Sequence, residues 1–256
     1  MAGDAECVDA VGLAACVARR AGVTTLAFAA AVAAVTGCSG RHSTDASVAD
    51  LPLVEVPATA PERGAFAVLM SGDGGWAEGD RGLASALAAR GVPVAGLSAP
   101  RYLARERRPD ESARDLARII SHYRSAWRRD SVIVIGYSRG ADLVPFMVSR
   151  LPDTLRHRVA LVALLGPSST AGFQFHLVDL ATNVARPGDL AVAPEVARLR
   201  GTPALCIYGR RDRSAICPTL PRAVARPVLR DGGHVVEGRE GPALADTILG
   251  ALIRPR

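Results

Sequence analysis

Val132-Ile133-Val134-Ile135-Gly136-Tyr137-Ser138-Arg139-Gly140 decides how this chain is read. Four β-branched apolar residues, then a Gly-x-Ser-x-Gly turn, then the helical stretch 141–150 give a strand, a sharp turn and a helix in succession. That succession is the setting of a nucleophile elbow. Glycines at 136 and 140 suit a strained turn whose neighbouring backbones leave no room for a Cβ. Ser138 then projects its hydroxyl above the sheet, where the N-terminus of the next helix favours negative charge. The plainer alternative is a serine that caps a helix.

A serine hydroxyl is a poor nucleophile unless a base removes its proton, so a histidine is required. Of the five histidines, His42, His122 and His157 read as solvated surface residues. His234 differs, because Asp231-Gly232-Gly233 follows the last predicted strand and can turn the ring back toward Ser138. His176, within Phe173-Gln174-Phe175-His176-Leu177, is the rival; its alternation suggests a strand or lid hairpin in which it is either structural or faces substrate. Asp212, after Tyr208-Gly209-Arg210-Arg211, fits the carboxylate that orients the imidazole, or else pairs with a nearby arginine. The order Ser, Asp, His is that of an α/β-hydrolase.

The oxyanion donors expected are the amide of Arg139 and amides of the glycine-rich loop Ser71 to Trp76, from Gly72, Asp73 and Gly74. That loop lacks a Lys-Ser/Thr ending and a dinucleotide fingerprint, so no cofactor is expected, and no metal. Trp76 either lines an acyl or headgroup pocket or belongs to the core. Asp142, one turn after Ser138, either attracts a cationic substrate group or favours the helix dipole. Arg101, Arg105, Arg107 and Arg108 form a basic run that meets lipid headgroups or is merely solvated.

Further strands are expected at 66–70, 92–97, 159–165, 204–208 and 227–229, with an edge strand at 51–56. Helices are expected at 83–90, 110–127, 190–200 and 242–253. Alternation of short apolar runs with amphipathic segments predicts a single α/β domain over 64–256, a mostly parallel sheet flanked by helices. With 256 residues, 49% of them hydrophobic, a sizeable core is available.

All 31 basic residues are arginine, and the net charge is +6. They are scattered rather than interleaved with aromatics, so nucleic acid is not an expected partner. Residues 1–37 read as an export signal: Arg19 and Arg20 precede an uncharged apolar stretch ending in Val35-Thr36-Gly37-Cys38, the form of a bacterial lipobox with Cys38 as the acylated residue. Residues 38–63 then read as a tether, and Ser39 after the cysteine favours the outer membrane, facing the periplasm. Cys206 and Cys217 are the two cysteines left in the body of the protein, an even pair that suggests a disulfide in an oxidising compartment.

Ser71-Gly72-Asp73-Gly74-Gly75-Trp76, Gly136-Tyr137-Ser138-Arg139-Gly140-Ala141-Asp142, and Cys206-Ile207-Tyr208-Gly209 with Cys217-Pro218 together resemble the VirJ/AcvB family of bacterial virulence proteins. Arg101-Tyr102 and Phe175-His176 are also similar to that family. The resemblance implies a periplasmic α/β-hydrolase-like domain that cleaves the aminoacyl ester of lysyl-phosphatidylglycerol, with a looser link to secretion-system proteins and virulence. The sequence departs from the family after His234, where Val235-Val236-Glu237-Gly238 replaces the usual second histidine and aromatic or acidic residues. A general carboxylesterase or thioesterase, and a non-catalytic interaction protein, are the competing readings.

Overall fold

The computed structural model describes residues 47–61, 63–180, 185–199 and 201–252. The expected export signal, Cys38 and His42 lie outside the described residues. The strands in chain order are β1 (Leu53–Val56), β2 (Ala65–Met70), β3 (Val94–Leu97), β4 (Ser131–Tyr137), β5 (Val159–Leu165), β6 (Thr170–Ala171), β7 (Leu190–Ala191), β8 (Ala204–Gly209) and β9 (Arg226–Arg230). Seven of them form one sheet in the order β1-β3-β2-β4-β5-β8-β9. Only β1 runs antiparallel in that sheet; β6 and β7 make a separate antiparallel pair.

The helices are α1 (Glu78–Ala88), α2 (Ala99–Tyr102), α3 (Pro109–Ala126), α4 (Arg139–Ser149), α5 (Asp153–Arg156), α6 (Val192–Ala197) and α7 (Gly241–Leu252). The run at β4 shows why this is a sandwich of helices around a sheet. Val132 and Val134 point into the layer built with Leu116, Ile119 and Leu143, whereas Ile133 and Ile135 point into the layer built with Leu83, Leu87 and Ile248. A strand buried on both faces needs an unbroken apolar run, and each such side chain contributes about 1.5–3 kcal/mol by leaving water. The chain therefore has the α/β-hydrolase architecture expected, with α3, α4 and α6 on one face and α1 and α7 on the other.

Several boundaries differ from expectation. The sheet reaches back past Arg63, because the edge strand within the stretch read as a tether pairs Leu53–Val56 with β3. Helix α1 starts at Glu78 rather than Leu83, and its Asp80 carboxylate accepts the Ala77 amide at 3.2 Å. Its glycines, which lie before the expected start at Leu83, serve contact: a Cβ on Gly82 would stand 2.4 Å from the Gly238 carbonyl oxygen. Residues 173–177 are not a strand but an irregular passage into a 3₁₀ turn at Leu177–Leu180. Helix α6 is shorter than the expected 190–200, with β7 taking its first residues.

Gly82 yields a prediction of sign. In an exposed helix Gly→Ala would stabilise by about 1 kcal/mol. Here the added methyl meets backbone, so Gly82→Ala should instead destabilise by about 1–3 kcal/mol in urea unfolding; a gain in stability would contradict this packing.

Candidate active site

Ser138 joins β4 to α4 with φ 52° and ψ −118°, one of two non-glycine residues at positive φ among those described. Such a conformation costs about 1–3 kcal/mol and persists only where surroundings impose it. Here the Ser138 amide donates to the Leu165 carbonyl at 2.8 Å, and the Gly140 amide to the Ser71 carbonyl at 3.1 Å. The turn is thus tied on both sides. Gly140 has to lack a side chain, since a Cβ would sit 2.2 Å from the Met70 carbonyl oxygen.

Ser138 Oγ lies 2.8 Å from His234 Nε2, and His234 Nδ1 lies 2.9 Å from Asp212 Oδ2. The three residues singled out in the sequence are brought together as one hydrogen-bonded chain at the carboxyl edge of the sheet. His176 is not part of it; its amide donates to Asp179 Oδ2 at 3.1 Å, and it lines a cleft of about 260 Å³ with Arg107, Phe173 and Arg186.

Asp212 is carried by the loop after β8. Its side chain is 2% exposed, and its partners are His234 and Ser214 rather than an arginine; Ser214 donates to Oδ1 through its hydroxyl at 2.6 Å and its amide at 3.0 Å. Burial pushes the carboxyl upward, but the hydrogen bonds from Ser214 and His234 outweigh it and hold the pKa below the usual value. The disulfide Cys206–Cys217 closes this loop, with Cα atoms 5.4 Å apart.

His234 sits in a loop fastened by Arg230, whose Nη2 donates to the carbonyls of Gly233, His234 and Val235 at 2.6, 3.1 and 3.1 Å while Nη1 reaches Glu240 at 2.8 Å. Tyr137 stacks its ring on the imidazole with centroids 6.2 Å apart, and its hydroxyl accepts the Val236 amide at 3.0 Å. Ser214, Arg230 and Tyr137 were not foreseen. Tyr137 stands beside the nucleophile in sequence, which offered a signal; the other two become neighbours only through the fold.

The glycine-rich loop comes up against the serine: a Cβ on Gly72 would lie 3.0 Å from Ser138 Cβ. Asp73 accepts from Arg139 Nε at 3.0 Å, so its carboxylate is committed to that guanidinium, while Gly74 is exposed. The structure decides between the alternatives left open for Trp76 and Asp142. Trp76 covers Gly96 of β3, where a Cβ would be 2.3 Å from its ring, and packs with the core beneath α1. Asp142 is buried and accepts the Ser168 amide at 2.6 Å, its pKa driven well upward by burial, so it anchors a loop instead of facing a substrate cation. Tyr102 is also buried, donating to Asp115 at 2.8 Å, because the Arg107 guanidinium covers its ring at 4.3 Å. Arg101 is exposed at the end of α2.

A mostly parallel sheet with a serine at the β4–α4 turn and an acid and a histidine on the loops after β8 and β9 defines an α/β-hydrolase fold. Solved structures with this architecture include TT1662 from Thermus thermophilus (18% identity, TM-score 0.55, covering 80% of this chain and 95% of that one). The esterase domain of a Rhodothermus marinus protein is also similar (14% identity, TM-score 0.53, 78% and 91% covered), as is Est1E from Butyrivibrio proteoclasticus, solved with ferulic acid (11% identity, TM-score 0.55, 80% and 96% covered). No curated protein matches the chain. Residues 64–255 match the model of the bacterial virulence protein VirJ, and the chain belongs to the VirJ family.

The Ser214 contact predicts a pH effect on stability. A carboxyl whose folded pKa is depressed takes up its proton first in the unfolded chain, so its contribution is present above the ordinary carboxylate range and is lost as pH falls through the folded value. Ser214→Ala removes the hydroxyl bond to Asp212 while keeping the amide bond, and should flatten the fall in unfolding free energy between about pH 5 and pH 2. Chemical denaturation at a series of pH values reads this; an unaltered slope would remove Ser214 from the account.

Proposed function

We propose that this protein is an exported, lipid-anchored serine ester hydrolase whose substrate is an aminoacylated phospholipid of the lysyl-phosphatidylglycerol type. The observation that carries the reading is the chain of contacts at 2.8 and 2.9 Å from Ser138 through His234 to Asp212. His234 takes the hydroxyl proton as Ser138 Oγ attacks the ester carbonyl, and Asp212, kept ionised by Ser214, stabilises the imidazolium. Negative charge on the carbonyl oxygen falls to the amides of Arg139 and the 72–74 turn. The bond to the leaving alcohol breaks, His234 protonates the departing lipid hydroxyl, and the aminoacyl group stays on Ser138. Water, deprotonated by the same histidine, then releases the free amino acid and restores the serine.

The substrate assignment rests on family membership. Asp142 is buried and Asp73 is paired, so neither is offered as the ammonium contact. Outer-membrane attachment through Cys38, facing the periplasm, and a role in virulence alongside secretion-system proteins belong to the same proposal.

Ser138→Ala should abolish labelling by a fluorophosphonate, and Asp212→Asn should lower kcat about 10⁴-fold while leaving the fold intact. Hydrolysis of aminoacyl-phosphatidylglycerol in vesicles should exceed that of short soluble acyl esters. Faster turnover of the soluble esters would favour a general carboxylesterase, and absence of labelling in folded protein would overturn the enzymatic reading.

A further inference from the structure

Leu177 and Val178 are 81% and 54% exposed, yet the side chain of the next residue, Asp179, is 1% exposed. A turn that directs its carboxylate inward and its aliphatic side chains outward is reversed relative to a segment built to face water. The inversion is held by charge. Asp179 accepts from Arg139 Nη2 and from the His176 amide, both at 3.1 Å, and pairs with Arg186. Arg139 directly follows Ser138 and also pairs with Asp73 of the glycine-rich loop, so its guanidinium ties the turn to the segments that flank the nucleophile. Val235, 70% exposed, directly follows His234. Of the large exposed apolar side chains among the described residues, Leu177, Val178 and Val235 thus stand on the segments beside the candidate site, whereas Leu190 and Leu229 belong to β7 and β9.

A basic rim lies alongside. The Arg107 amide donates to the Phe173 carbonyl and the Phe175 amide to the Leu103 carbonyl, each at 2.9 Å, so the arginine-rich stretch runs beside the passage leading to Leu177. Arg105 and Arg107 pair with Glu111, and Glu106 is exposed; the unpaired positive charge of the stretch is that of Arg101 and Arg108, which are exposed and form no ion pair among the described residues. Apolar side chains that project beyond a cationic rim match an anionic bilayer, in which hydrocarbon lies beneath a negative headgroup layer.

We propose that this rim is a docking surface for an anionic lipid bilayer, seating the opening above Ser138 directly on the membrane. The proposal rests on the ester-hydrolase reading for what passes through the opening, but the docking itself needs no chemistry. It is also separate from an N-terminal anchor, since an anchor fixes proximity and the rim fixes orientation.

The test uses the full chain with Leu177→Trp on vesicles containing phosphatidylglycerol and brominated lipid, measured in the Ser138→Ala background so that turnover plays no part. Tryptophan fluorescence should be quenched beyond that of the same chain with Leu177 retained, and the excess should shrink on phosphatidylcholine vesicles. No excess quenching on anionic vesicles would overturn the proposal. With Ser138 restored, Leu177→Ser/Val178→Ser should lower ester hydrolysis in anionic vesicles about tenfold, from the lost apolar transfer, and leave a soluble ester unaffected. Equal loss on both substrates would assign these residues to the pocket. A shift from dimer to monomer in light scattering would assign the face to a second copy, and either outcome would overturn bilayer docking. Loss of soluble-ester hydrolysis on Ser138→Ala alone reports on the hydrolase reading, so the two can fail separately.

Discussion

The backbone at Ser138 is the constraint on which the rest of the site depends. A serine at φ 52° is unfavourable, and the chain holds it because the turn is hydrogen-bonded to the ends of neighbouring strands through Leu165 and Ser71. Those anchors belong to parallel strands whose interiors are apolar on both faces, so the strain at one residue is borne by the burial of many. The same geometry that strains Ser138 lifts its hydroxyl clear of the sheet and aims the first amides of α4 alongside it.

Around that fixed point, the other two members are set by different means. Asp212 is held by covalent closure of its loop and by two bonds from Ser214. His234 is held by electrostatics, through a guanidinium that gathers three successive carbonyls of its loop, and by the flat face of Tyr137. An imidazole at 33% side-chain exposure, between a nearly buried acid and an accessible hydroxyl, can pass a proton outward without exposing the carboxylate to water.

Much of this was legible in the sequence because it is local. The run Val132 to Ile135 and the glycine spacing around Ser138 are periodic signals, and Asp212 and His234 follow strands that the same periodicity finds. What was not legible depends on contacts between distant segments. Whether Trp76 lined a pocket or belonged to the core was open in the sequence, and Tyr102 was marked only by the family resemblance. Their rings turn onto Gly96 and beneath Arg107. Asp142 lies on the side of α4 that meets the loop at Ser168, a direction that helical spacing alone leaves open between core and cleft. The early start of α1 was hidden because its glycines mimic a loop, although their purpose is close approach to the segment beyond His234.

Arg230 ties this arrangement to the end of the chain. Its Nη1 reaches Glu240, at the threshold of α7, while its Nη2 grips the carbonyls around the imidazole. The closing helix and the proton-carrying ring therefore share one fastener. A displacement of that helix against α1 would pass through Glu240 and Arg230 to the loop that carries the histidine, which makes α7 a remote adjuster of the base rather than a passive lid on the sheet.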